Sequence, residues 1–175
     1  MRTPAKTASA ALVVTTFAAL ALAGCDKPKD RTPKTDAAPA AAAPAAEAMP
    51  ALPEWSRAMI GKAKADLFPG EMKPCKGNTD NVEKTYADGV RIVGWAWDPA
   101  TKEPVPRVIL VDVTGLVAGG GETGIARPDV NRVVPEIKSP ATGWAALTSR
   151  TTGPLETYGI IDGGKSLCVL GHVTF

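Results

Sequence analysis

Residues 90–170 are built from short runs of β-branched and aromatic residues, separated by glycines and prolines that favour turns. The first run ends at Asp98-Pro99, a dipeptide typical of turns. The runs lie at 90–97, 108–113, 116–118, 143–147, 157–161 and 167–170. Short strands at this spacing, with no long helical pattern between them, are typical of antiparallel sheets. We therefore predict a mainly β domain over residues 75–175, an antiparallel β-sandwich of the immunoglobulin-like or jelly-roll-like kind.

The first 24 residues have the parts of a secretory signal. Arg2 and Lys6 precede an apolar segment, 8–23, in which alanine is the commonest residue. This segment is shorter than the roughly 20 residues that a membrane-spanning helix needs. An ordinary secretory signal and an uncleaved membrane helix are two alternatives for this leader.

Leu22-Ala23-Gly24-Cys25 closes this leader and resembles the lipobox of bacterial lipoproteins. The resemblance implies removal of residues 1–24, a lipid on Cys25, and attachment to a cell membrane with the protein facing the periplasm. Asp26 is similar to the inner-membrane retention signal of enteric lipoproteins, so we expect the inner membrane, with the outer membrane as the alternative.

The charge balance argues against a nucleic-acid partner. The chain has 20 basic and 18 acidic residues, and removing the leader with Arg2 and Lys6 leaves 18 of each. Nucleic-acid binding requires lysines and arginines gathered in one run or on one face. The sequence has no such run, and we expect no nucleic acid among the partners.

Two segments precede the β domain. Residues 25–53 are rich in alanine and proline and bury little apolar surface, which predicts a disordered tether. Residues 54–74 are predicted to form one short helix and a lead-in. The helix extends from about Pro53 to Phe68 and places Trp55, Met59, Ala63 and Leu67 on one apolar stripe.

The chain has three cysteines. If Cys25 carries a lipid, Cys75 and Cys168 remain, and in an oxidising compartment we expect them to form a disulfide. Two cysteines and His172 do not make a four-ligand zinc set, and the sequence has no Cys-x-x-Cys motif. We therefore expect a structural disulfide and no metal site.

Five short motifs between residues 75 and 170 resemble an uncharacterised β-sandwich module of the bacterial envelope. They are Cys75-Lys76-Gly77, Gly94-Trp95-Ala96-Trp97-Asp98-Pro99, Arg127-Pro128-Asp129-Val130, Gly143-Trp144 and Cys168. Similar modules occur at the ends of large membrane proteins and beside glycosyltransferase domains. The resemblance implies a sandwich fold and an envelope role, and it brings no catalytic residues with it.

Three residues are candidate ligand contacts: Trp97, Arg127 and Asp129. Trp97 shares a strand face with Trp95, where the two rings could stack on a sugar, although Val93 on the same face favours a core position. Arg127 and Asp129 could contact an anion or a sugar. The favoured alternative is that Asp129 caps a helical turn over 130–134 while Arg127 pairs with a nearby carboxylate or carbonyl.

Residues 119–124 formally satisfy the glycine-rich dinucleotide pattern. That pattern needs a helix directly after it, and Pro128 leaves no room for one. We expect a flexible loop between strands and no nucleotide or other cofactor.

Residues for catalysis are few. His172 is the only histidine, and no serine lies in a nucleophile-elbow motif. We therefore predict a non-enzymatic, lipid-anchored binding or assembly module that recognises a protein or glycan partner. The alternative is a small envelope glycan hydrolase with a carboxylate pair drawn from Asp98, Asp112, Glu122 and Asp129.

Overall fold

The computed structural model describes residues 46–175, so the predicted signal peptide, Cys25 and most of the tether lie outside the described residues. Eight strands form the domain: β1 (Lys76–Glu83), β2 (Val90–Asp98), β3 (Glu103–Pro104), β4 (Arg107–Asp112), β5 (Val117–Ile125), β6 (Gly143–Thr148), β7 (Pro154–Ile161) and β8 (Ser166–Thr174). Three short helices accompany them: α1 (Glu54–Arg57), α2 (Lys64–Leu67) and α3 (Pro128–Val133). None of these helices is long and apolar enough to cross a membrane.

All strands belong to one antiparallel sheet. The order is β1-β2-β6-β5-β4-β7-β8, and the short β3 pairs with the end of β2. The sheet curls until its two edges meet: a disulfide joins Cys75, just before β1, to Cys168 on β8, and Thr79 on β1 hydrogen-bonds to Thr157 on β7 at 2.5 Å. The predicted mainly β, antiparallel class is confirmed, and a single sheet curled nearly into a barrel provides its two layers.

Apolar side chains fill the inside of the curled sheet and two patches on its outside. The inner core includes Ile92, Ala96, Val108, Leu110 and Trp144, all of them fully buried. One outer patch lies between the sheet and the segment around α1 and α2, and the other lies between β2 and α3. Because β4 is covered on both faces, its sequence is a continuous apolar run rather than an alternating one.

The predicted loop at residues 119–124 is instead the middle of β5. A side chain at Gly121 would overlap the carbonyl oxygen of Ala145 on β6, and one at Gly119 would overlap that of Leu147. Glycine inside a strand marks a close approach of another backbone. The loop prediction was wrong because these glycines allow β6 to pack closely and do not provide flexibility.

The predicted single helix over 53–68 is divided into α1 and α2. Gly61 separates them with a φ of +77°, a conformation that favours glycine. Backbone hydrogen bonds hold this break against the β4–β5 turn, from Gly61 N to Val117 O (2.8 Å) and from Lys64 N to Gly115 O (2.9 Å). Part of the predicted apolar stripe is present, since Trp55, Met59 and Leu67 pack against the outer patch next to α1 and α2.

The end of the predicted tether lies against the domain. Glu47 forms a parallel bridge with Tyr86, its carbonyl accepts a hydrogen bond from Ala87 N, and Met49 N donates to Asp88 Oδ1 at 3.1 Å. Residues 47 and 49, which the sequence places in the tether, therefore contact the β1–β2 connection through their backbone. Composition gives no signal for such contacts.

Candidate binding cleft

The domain has two distinct ends because neighbouring strands are antiparallel. The end of β2, the start of β4 and the end of β7 lie together at one end, which we call the cleft end. The opposite end carries the β1–β2 connection, where Glu47 and Met49 dock, and we call it the tether end. The nine residues of β2 separate the two ends by about 27 Å.

A cavity of about 540 Å³ opens at the cleft end, and we call it the end cleft. Its walls combine apolar and charged side chains. It is lined by Asp98, Thr101, Glu103, Pro104, Pro106, Arg107, Ile160 and Ile161 together with residues 162–164. A smaller hollow of about 140 Å³ shares Asp98, Thr101, Ile161 and Asp162 with it and adds Lys73 and Pro74. A concave, partly apolar surface with a few polar groups is the usual form of a binding site.

Two turns position the acidic residues of the end cleft. Asp98 Oδ1 accepts a hydrogen bond from Ala100 N at 2.9 Å, which reverses the chain from β2 into β3. Asp162 begins a short 3-10 turn after β7 with a φ of +54°. Its Oδ2 accepts hydrogen bonds from Lys73 Nζ (2.6 Å) and Ser166 Oγ (3.3 Å). The bond from Lys73 lowers the pKa of Asp162, so this carboxylate is ionised and already paired.

Trp97 is not an open stacking platform. It is only 5% exposed, because Val130 and Ile137 cover it on the outer face of β2. The inner core face of this strand carries Ile92 and Ala96. The expected core position is confirmed for Trp97, which lies in an apolar cluster on the outer face of β2, where Trp95 is only partly buried. Trp144 occupies the inner core.

The donors of Arg127 are occupied by two carboxylates. Its Nη1 donates to Asp80 Oδ2 at 2.5 Å, and its Nε and Nη2 donate to the two oxygens of Asp129 at 2.9 and 2.7 Å. These bonds lower the pKa of Asp129 to about 2 and raise that of Arg127. Of the two partners predicted for Arg127, a carboxylate or a carbonyl, its side chain binds carboxylates. Asp129 does not cap the turn, because α3 begins at Pro128 and Arg127 is its N-cap.

The four carboxylates considered for hydrolysis have separate partners. Asp112 at the tether end accepts from Thr114 and Arg150, and the Thr114 hydroxyl lowers its pKa most. Glu122 accepts a hydrogen bond from Trp55 Nε1 at 2.9 Å. Asp129 binds Arg127, and Asp98 is the one member of the set that lines the end cleft.

The structure brings a different carboxylate to Asp98. Glu103 is its direct cross-strand partner in the β2–β3 hairpin, and both line the end cleft. Sequence reasoning missed Glu103, although Asp98-Pro99 and Glu103-Pro104, five residues apart, were the available signal for a hairpin. Among residues 46–175, no three histidine, cysteine, aspartate or glutamate side chains form a group that could hold a metal ion.

The disulfide between Cys75 and Cys168 is present, with the two Cα atoms 5.8 Å apart. It joins the ends of the domain as the cysteine count predicted. No family model, curated protein or solved structure matches this chain. The resemblance to envelope modules therefore stays a prediction.

Proposed function

We propose that this chain is a lipid-anchored protein of the bacterial cell envelope whose β domain binds a protein partner at the end cleft without catalysing a reaction. The lipobox at residues 22–25 and the leader before it support the anchor. The Cys75–Cys168 disulfide supports an oxidising compartment, since such bonds are rare in the cytosol. Asp26 favours the inner membrane over the outer.

The observation that carries the proposal is the position of the end cleft relative to the anchored segment. Residues 46–49 lead into the domain at the tether end, and the cleft opens at the other end of β2. A lipid on Cys25 would attach the chain through the segment that enters at the tether end. The docked residues 46–49 leave the end cleft uncovered, since it lies at the other end of β2.

A protein partner fits this site better than a glycan. Sugar rings stack on open aromatic faces, and the end cleft has no tryptophan, tyrosine or phenylalanine in its lining. Trp97, the aromatic candidate from the sequence, is covered by Val130 and Ile137. The mixture of prolines, isoleucines and charged groups in the cleft suits amino-acid side chains.

Replacing Cys25 by alanine is expected to abolish lipid attachment, because the thiol of this residue is the site of alkylation in a lipoprotein. The measurement is incorporation of radiolabelled palmitate in growing cells, followed by separation of membrane and soluble fractions. Gly24→Ala is the matched control and should keep the label, since alanine is also a small residue. Label retained in Cys25→Ala would refute the anchor.

A photo-crosslinker placed at Thr101 is expected to capture one defined envelope protein in intact cells. Thr101 is exposed and lines the end cleft. Thr152 is equally exposed but lies at the tether end, so the same crosslinker at that position is the control. Mass spectrometry identifies the adducts. Identical adducts from both positions, or only bulk lipid and abundant porins from Thr101, would refute binding at the end cleft.

The alternative of a small envelope glycan hydrolase has one observation in its favour. Asp98 and Glu103 are cross-strand neighbours in one cavity, and a carboxylate pair is what glycoside hydrolysis requires. Reducing sugar released from isolated envelope glycan by the protein, and lost in Glu103→Gln, would favour the hydrolase over the binding module.

A further inference from the structure

The charges in the end cleft are unequally compensated. Asp162 is paired with Lys73 at 2.6 Å. The guanidinium of Arg107 lies 5.0 Å from the ring of Trp55, a distance typical of a cation–π contact. Asp98 and Glu103 form no ion pair with any residue in the described part of the chain. These two carboxylates therefore have no salt-bridge partner, since Arg107, which also lines the cleft, packs on Trp55.

Asp98 is the more unusual of the two because it is only 7% exposed. Its Oδ1 accepts one hydrogen bond, from Ala100 N, and Oδ2 accepts none from residues 46–175. Burial removes most of Asp98 from water, which is a cost to the fold, but Oδ2 is not among the enclosed side-chain atoms that lack a partner and stays within reach of the cavity. Since Asp98 lines the cavity, a cationic donor could reach it from there.

The position of Glu103 adds to this cost. It lies directly opposite Asp98 in the β2–β3 pair, and like charges at directly opposed positions destabilise a strand pair. A cation placed between the two carboxylates would remove the repulsion and supply the partner that Asp98 lacks.

The cleft walls are suited to the rest of a basic side chain. Pro104, Pro106, Ile160 and Ile161 line the same cavity as the two carboxylates. Lysine and arginine bury an aliphatic stem along apolar surface while the charged head meets an acceptor. The cleft supplies both surfaces within one cavity of about 540 Å³.

From these observations we infer that the end cleft recognises a lysine or arginine side chain of the partner protein, with the cationic head between Asp98 and Glu103. The inference rests on the proposed function, because it names the chemistry of the partner at that same site. The stem of the basic side chain packs on the prolines and isoleucines.

The test is a titration of the isotope-labelled full-length protein with the peptides acetyl-Gly-Gly-Lys-Gly-Gly-amide and acetyl-Gly-Gly-Arg-Gly-Gly-amide, followed by amide chemical shifts. Shifts are expected at Thr101 and at residues 160–164. The same peptide with norleucine in place of lysine keeps the stem without the charge and should bind about tenfold more weakly. Binding of the basic peptides should also weaken as salt is raised.

Glu103→Gln and Asp98→Asn are each expected to weaken binding of the lysine peptide about tenfold, because each removes one charge-assisted partner. Glu103 is exposed, so its variant tests the inference even if Asp98→Asn disturbs the turn. Glu54→Gln on α1 removes an exposed carboxylate outside the cleft and is the matched control. Equal binding of the norleucine and lysine peptides, or binding of N-acetylglucosamine at the cleft instead, overturns the inference.

The two proposals can fail separately. If the crosslinker at Thr101 captures a partner but the basic peptides do not bind, the proposed binding function stands and the inference that the cleft recognises a basic side chain is wrong. If the peptides bind in a charge-dependent way but Thr101 captures nothing in cells, the chemistry of the cleft stands and the proposed function is wrong.

Discussion

Replacing both Cys75 and Cys168 by alanine is expected to lower the free energy of unfolding by about 4–5 kcal/mol. The disulfide closes a loop with a sequence separation of 93 residues, so its loss frees a large part of the unfolded chain. The bond also joins the start of β1 to β8, two strands that no backbone ladder connects. The measurement is urea denaturation of the full-length protein, with and without the substitutions.

Val169→Ala is the matched control for the disulfide. Val169 neighbours Cys168 on β8 but is 62% exposed, and truncation of such a residue changes stability by no more than about 0.5 kcal/mol. Reduction of the unmodified protein with dithiothreitol should lower the urea midpoint in the same direction as the double substitution. Coincident unfolding curves for the oxidised and reduced protein would contradict the expectation.

The strands with strong β-branched runs could be predicted because local composition and burial agree in them. Residues 108–113 are apolar because both faces of β4 are buried, and the structure places β4 over 107–112. The disulfide could also be predicted, since three cysteines, one of them assigned to the predicted lipobox, leave a single pairing. The apolar run of β4 and the number of cysteines can both be read from residue identities, without knowing which residues they contact.

The glycine-rich stretch and the two faces of β2 could not be predicted for the opposite reason. Gly119 and Gly121 are read from the sequence as flexible, but their role is set by the carbonyl oxygens of β6, which come from residues some 25 positions later. The buried state of Trp97 depends on Val130 and Ile137. Contacts between segments distant in sequence decide the role of these glycines and the burial of Trp97. The residue pattern within one strand gives no information about such contacts.

The end cleft was only partly predictable. Asp98 was considered as a carboxylate, but its partner was sought among Asp112, Glu122 and Asp129, which the fold places elsewhere. Glu103 reaches Asp98 through a two-residue strand too short to have a sequence pattern. Ile160 and Ile161 come from β7, so the cavity itself exists only once the sheet has curled.

Trp97→Ala is expected to lower the free energy of unfolding by about 3–5 kcal/mol, the usual cost of truncating a buried tryptophan. The ring is 5% exposed and packs against Val130 and Ile137, so its removal leaves a cavity between β2 and α3. An exposed sugar-stacking tryptophan would behave differently, since its loss would weaken binding and leave stability nearly unchanged. Urea denaturation separates the two roles of Trp97.

Val133→Ala is the matched control for Trp97→Ala, because Val133 belongs to α3 and is 81% exposed. Its truncation should change stability by no more than about 0.5 kcal/mol. If Trp97→Ala unfolds at the same urea concentration as the control, α3 does not cover the ring in solution. In that case the outer face of β2 would again be a candidate surface for sugars. A large loss for Trp97 alone instead makes α3 a structural cover and leaves the end cleft as the proposed binding site.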